Sequence, residues 1–210
     1  MAELDFAVAG AQPDPESAAP AINLRLRITE TSGTPVQAVA LRTQIRIEPV
    51  RRRYDDAEAE GLRDLFGERA RWGTTLKPLQ LAFANQVVPG FTGSTEVDLG
   101  LPCSYDFDVA AHKYLYALET GEVPLLLLFS GTVFTSGPNG FSVTPIGWDK
   151  EATFRMPVDV WRETMRSHFP GTAWLRIGTE SFDALHRYRI REQLVDWDQA
   201  IGRLLKEAQG

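Results

Sequence analysis

The stretch Gly121 to Phe134, GEVPLLLLFSGTVF, constrains the fold more than any other part of the chain. A turn signal leads into an apolar run, Val123 to Phe129. Ser130 and Gly131 interrupt it, and Val133 and Phe134 resume it. An apolar run of roughly 4–8 residues is too short to cross a bilayer and reads as a strand buried on both faces. It marks the middle of a sheet and carries no group that could react.

The flanking sequence predicts more strands. Ile22, Leu24, Leu26 and Ile28 alternate with Asn23, Arg25, Arg27 and Thr29, the period of a strand with one wet face. A turn signal at Thr31 to Pro35 follows, then the same alternation from Val36 to Pro49, so the two are expected to pair as an antiparallel hairpin. Thr74 to Phe83 is expected to be extended, with Pro78 favouring an edge. Val87 to Gly93 reads as a loop with a large exposed aromatic, Phe91. Ser94 to Leu101, Phe107 to Leu118, Phe141 to Ile146 and Glu151 to Arg155 read as strands, and Phe107 to Leu118 is expected to form a long hairpin with the apolar run. Residues 55–70 read as a helix with an acidic first turn, weakened by Gly61. Pro157 to Phe169 reads as another, and a longer helical stretch opens at Thr179 with a break near Ile190.

The fold class expected is therefore α+β, mainly β: an antiparallel β-sandwich or strongly curved sheet with one inserted helix and C-terminal helices. Residues 1–21, rich in Ala and Pro, are expected to be a flexible arm. Residues 22–156 are expected to form the sandwich, and residues 157–210 a helical segment packed on the sheet.

Composition narrows the function classes. The chain has 210 residues and a formal net charge of −6. An acidic chain is a poor general binder of nucleic acid, and no basic amphipathic face suits a membrane surface. A single cysteine, Cys103, excludes an intrachain disulfide. Glu3 and Asp5 stand where a signal peptide carries cations, so no secretion signal is read and a cytoplasmic location is expected.

No Walker-type loop, G-x-S-x-G or G-x-G-x-x-G occurs, and neither a catalytic residue nor a cofactor is expected. His112, His168 and His186 lack the short spacing of a zinc site, so no metal is assigned. Asp106 and Asp108 would share a strand face and could hold a divalent ion with His112, or could simply be solvated edge carboxylates. Arg51, Arg52 and Arg53 form the basic cluster. They could grip an acidic partner or a phosphate, or pair with Asp55, Asp56 and Glu58 beside them. Trp72, Phe91 and Trp148 fall in expected loops and are the candidates for an exposed recognition patch.

Several motifs carry a resemblance: Asp64-Leu65-Phe66-Gly67, Arg71-Trp72-Gly73, Val88-Pro89-Gly90-Phe91, Leu125 to Phe134, Trp148-Asp149-Lys150-Glu151, and Phe169-Pro170 with Ala173-Trp174-Leu175-Arg176. From about Ile22 to about Tyr188 the chain resembles an uncharacterised bacterial family, a domain of unknown function. Its members are often encoded near nickel–iron uptake-hydrogenase genes. The resemblance implies an accessory or assembly role and supplies no catalytic residues.

The function expected is a non-enzymatic protein-binding accessory or assembly factor whose partner is another protein, such as a hydrogenase component. The alternatives are a small-molecule or metal-binding module on Asp106, Asp108 and His112, and a structural role through self-association.

Overall fold

Period-2 alternation of apolar side chains drives this chain into strands. The computed structural model describes residues 2–103, 109–137, 140–172 and 177–209, and these form eight strands in two antiparallel sheets. The smaller sheet runs in the order β1 (Leu4–Pro13), β2 (Ala21–Glu30), β5 (Ser94–Pro102). The larger contains β4 (Leu79–Phe91), β3 (Val36–Ile47), β6 (Glu122–Gly137) and β7 (Gly140–Pro145) in that order. Its fifth strand, β8 (Glu151–Pro157), also pairs with β6. The architecture is α+β, with helices added to a β-rich frame.

The apolar run is the spine of the larger sheet. One edge of β6 pairs with β3 from Leu125 to Thr135. The other edge is shared: Glu122 to Leu128 pairs with β8, and Thr132 to Gly137 with β7. Val123, Leu125, Leu127, Phe129 and Val133 point inward and are buried, while Leu126 and Leu128 on the other face are half-buried. The inward residues meet Leu24, Leu26 and Ile28 of β2 and Val39, Ile45 and Ile47 of β3 in one core. Each fully buried Leu or Ile stabilises by roughly 1.5–3 kcal/mol relative to exposure. Gly131 lets the spine lie close to β3. Its φ is +140°, and a Cβ there would stand 2.0 Å from the Ala40 carbonyl oxygen.

Several expectations give way. Residues 1–21 hold a strand rather than an irregular arm: β1 pairs with β2 from Leu4↔Glu30 to Pro13↔Ile22. Leu4, Phe6 and Val8 alternate toward the core, and Phe6 stacks on Phe129 at 4.2 Å. The expected hairpin of the next two strands does not form, because β2 and β3 belong to different sheets. The connection crosses from sheet to sheet around Glu30, whose carboxylate accepts hydrogen bonds from the backbone N–H of Glu3, Ser32 and Thr34 and from the Ser32 hydroxyl. Val87 to Phe91 is strand, not loop; β4 is an edge strand, where Pro89 is tolerated.

The largest change concerns Phe107 to Leu118. Phe107 and Asp108 lie outside the described residues, and Val109–Ala117 is helix α4, so the described part of this segment forms no hairpin with β6. Ala111, Tyr114, Leu115 and Leu118 are buried at helical spacing, which explains the outcome. The expected helix at 55–70 is broken into α1 (Asp56–Gly61) and α2 (Arg63–Phe66), followed by α3 (Trp72–Thr75). Asp55 caps α1 by accepting from the Glu58 N–H at 2.8 Å, and Gly67, at φ +72°, ends α2. Gly61 lies against Ala117 of α4. Helix α5 (Val158–His168) packs on β1, β2 and β8.

By contact the chain divides into Met1–Pro170 and Gly171–Gly210. The second unit holds α6 (Thr179–Arg191) and α7 (Trp197–Gln209), separated near the expected break. Within it Phe182 and His186 pack against Trp197, and the Arg189 guanidinium lies 4.7 Å from the Trp197 ring centroid. No helix of the described residues is long and apolar enough to cross a membrane.

Two stability predictions follow from the sheet crossing and the spine. Burial alone would raise the Glu30 pKa, but its hydrogen bonds outweigh that and hold it at about 2 against an ordinary 4.5. A depressed folded pKa means that this stability is fully present above about pH 4.5 and is lost as pH falls toward about 2. Glu30→Gln should therefore lower Tm at neutral pH and flatten the acid limb of the Tm–pH profile; an unchanged limb contradicts this. Gly131→Ala should destabilise by more than about 3 kcal/mol in urea unfolding, whereas Gly73→Ala, where a Cβ meets nothing, should stay within about 1 kcal/mol.

Candidate functional site

The Arg51–Arg53 cluster splits into one anchor and two free cations. Pro49–Arg51 is a single 3₁₀ turn that carries the chain off the end of β3. Arg52 then turns inward. Its guanidinium forks onto Glu58, with both contacts at 2.7 Å, and donates to the carbonyls of Thr120 and Glu122. Its side chain is 9% exposed and that of Glu58 4%. Burial by itself would lower the Arg52 pKa, but the Glu58 carboxylate outweighs it and the net direction is up. This pair ties α1 to the turn that leads into β6.

Behind it lies an aromatic block. Tyr54 donates to the Pro49 carbonyl at 2.8 Å, so the 2.8 Å contact between the two phenols uses the Tyr114 proton. Burial pushes the Tyr54 phenol up to about 12 and the Tyr114 phenol higher still. Trp72 belongs to this block: it packs edge-on against Tyr54 at 5.3 Å and Phe66 at 6.2 Å, and its Nε1–H donates to Gly67 O at 3.0 Å. The exposed patch expected of Trp72 is corrected, since the residue is core. Phe91 is half-buried against the core. Trp148 alone of the three is fully on the surface, 96% exposed between β7 and β8.

Arg51 and Arg53 remain exposed and form no ion pair among the described residues. They line a cleft of about 790 Å³ with Arg155 of β8, Thr120, Gly121 and Glu122. Arg155 donates to the Arg51 carbonyl at 3.4 Å and lies 3.8 Å from the Glu122 carboxylate. The carboxylates of the cleft are engaged: Asp55 in the helix cap, Glu58 on Arg52, Glu122 near Arg155. Arg51 and Arg53 are its unmatched charges.

The outer faces of the two sheets differ. On the small sheet, Arg25 and Arg27 pair across the strands with Asp98 and Glu96 at 3.2 and 2.7 Å. On the large sheet, the registers set Val87, Ala40 and Thr132 in one outward row, and Pro89, Ala38, Phe134 and Val143 in the next. Phe141 and Val143 are 75% and 60% exposed, and Val87 72%. Further along the same face Arg42 lies over the Phe83 ring, and Arg155 sits opposite Pro124. One sheet face thus runs from an apolar end to the basic cleft. The alternation in the sequence shows which residues point out, but not that strands distant in sequence align them.

The carboxylate–histidine alternative loses the strand position expected of His112. Asp106 and Asp108 lie outside the described residues, and His112 is on α4, stacked with Tyr116 and edge-on to Trp161. Burial lowers the His112 pKa. Trp161 lines a groove of about 760 Å³ between α1, α4 and α5, and its Nε1–H is buried with no hydrogen-bond acceptor among the described residues. Cys103 is buried, and burial pushes its thiol up to about 12, which makes it a poor nucleophile.

The buried anchor generates its own prediction. Arg52→Met leaves the Glu58 charge buried and should cost about 3–5 kcal/mol in urea unfolding, while Arg51→Ala should cost less than about 0.5 kcal/mol. Equal effects of the two changes would contradict the division between anchor and free cations.

Comparison with solved structures finds a protein assigned as ApaA from Bordetella pertussis, at 17% identity over 74% of this chain and 95% of that one, with a TM-score of 0.27. A β-glucosidase from Kluyveromyces marxianus matches at 10% identity over 74% of this chain and 15% of that one, also with a TM-score of 0.27. Neither likeness carries weight for fold or function. No curated protein matches the chain. The model of a family of unknown function (DUF6084) matches residues 1–210, beyond both ends of the stretch that carries the resemblance, and the chain belongs to that family.

Proposed function

We propose that this protein is a non-enzymatic accessory or assembly factor that docks another protein on the outer face of its five-stranded sheet. The observation that carries the reading is the asymmetry of the two outer faces. Cross-strand ion pairs cover one, whereas exposed Val87, Phe141 and Val143 leave the other bare. Contiguous apolar surface of this kind marks an interaction site in a soluble domain. Trp148, 96% exposed in the connection between β7 and β8, is the large aromatic that a partner would bury.

The occupant proposed is a different protein and not a second copy. A two-fold interface must be self-complementary. This face carries Arg42, and the cleft at its end carries Arg51 and Arg53, none of them in an ion pair among the described residues. The same face carries one carboxylate without an ion pair among the described residues, Glu151, so a second copy would bring more cations than carboxylates to match them. A partner with an apolar surface bordered by carboxylates fits instead. A hydrogenase component, the class that the resemblance nominates, is the first partner to present, in the cytoplasm.

The metal alternative rests on Asp106, Asp108 and His112. Elemental analysis of the purified protein is expected to find no stoichiometric metal; a stoichiometric ion lost in His112→Ala would replace the present reading.

Docking is tested with Val87→Asp/Val143→Asp. Both positions are exposed, so Tm should hold within a few degrees while a partner captured from the native host by the wild type is lost. Arg25→Ala/Arg27→Ala, on the opposite face, should retain it. Undiminished capture by the first variant overturns the reading. So does a wild-type dimer in sedimentation that Val87→Asp/Val143→Asp dissociates, because the face then serves self-association.

A further inference from the structure

We propose that the cleft lined by Arg51, Arg53 and Arg155 takes the carboxylates of an acidic peptide segment, supplied by the docked partner. The inference rests on the docking reading and adds the chemistry and direction of the partner.

Three observations support it. First, the site is built from a rigid base. Arg52 is spent on Glu58 and on the carbonyls of Thr120 and Glu122, and so fixes the backbone between its two neighbours. Arg155 fixes it again by donating to the Arg51 carbonyl at 3.4 Å. Arg51 and Arg53 therefore start from a held backbone, which reduces the ordering that a ligand must impose. Second, charge is available. Every carboxylate at the cleft already has a contact, whereas Arg51 and Arg53 have no ion pair among the described residues. On a chain of net charge −6, this local excess of cation would steer an acidic segment to one place. Third, the cleft is continuous with the docking face: Arg155 of β8 sits opposite Pro124 of β6, ten residues before Phe134, which sits opposite Val143. Ten residues of strand span roughly 33 Å, so an apolar contact at one end and an acidic one at the other can belong to a single partner.

A carboxylate-bearing chain fits better than a compact phosphate. The cleft is open and about 790 Å³ in volume, and its arginine forks stand around it where they can meet charges spaced along an extended segment. Pyrophosphate is the discriminating probe, because the same forks would take it.

The test is fluorescence anisotropy of a labelled hexaglutamate peptide titrated with the full-length chain at low ionic strength, with hexaglutamine as the uncharged control. Saturable, salt-sensitive binding of hexaglutamate is expected. Arg51→Glu/Arg53→Glu should weaken it about tenfold or more, and Arg71→Glu/Arg187→Glu, which changes net charge equally, should leave it within about twofold. Absence of saturable binding overturns the proposal, as does an equal loss in both double variants. So does Arg51- and Arg53-dependent binding of pyrophosphate alone with none of the peptide. The peptide needs no apolar face, so Val87→Asp/Val143→Asp should bind it normally. Failure of the docking reading and failure of the cleft are thus separately visible.

Discussion

Everything in the first unit is organised around one strand that serves three others. β6 gives one edge to β3 and divides the other between β8 and β7. Its inward residues close the core against β2, and Phe129 reaches Phe6 of β1 in the opposite sheet. Its outward residues are the middle row of the face proposed for docking. Close packing of β6 on β3 depends on a glycine at position 131, where any side chain would collide with Ala40. A strand with neighbours along both edges cannot shift register by one residue without turning its core face outward, so it pins the rest.

Two polar anchors hold the connections that this frame leaves open. Glu30 gathers the crossing from β2 to β3, and the Arg52–Glu58 fork ties α1 to the turn before β6. Both are charged groups with nearly all their hydrogen-bonding capacity satisfied, the condition under which charge is tolerated away from water. The same economy explains the basic cleft. One arginine of three is consumed by structure, and the two beside it are left to the solvent.

Much of this frame was legible in the sequence. Ile22 to Glu30, Val36 to Ile47, Ser94 to Leu101 and the run from Val123 announce themselves by alternation or by apolar length, and Pro157 announces α5. What could not be read was pairing between distant segments. Adjacent strands β2 and β3 look like a hairpin, yet each finds better burial in a different sheet. Phe107 to Leu118 reads as a strand by its aromatic residues, although Ala111, Tyr114, Leu115 and Leu118 have helical spacing. Leu4, Phe6 and Val8 alternated within a segment whose Ala and Pro content suggested an arm. The site was legible in part. The arginine cluster and Trp148 were visible as candidates, whereas the burial of Trp72 depends on Tyr54 and Phe66 closing over it, and the cation from Arg155 arrives from a strand about a hundred residues away.

The outer face of the five-stranded sheet, and not that of the smaller one, is the surface proposed to meet a partner. Site-specific photo-crosslinking in the native host addresses this directly. A photoreactive residue at Val143 and one at Phe141 should give an adduct with the same second protein, and one at Arg27 should give none. Equal adducts from Arg27, adducts only with another copy of this chain, or no adduct from either position on the larger sheet would contradict it.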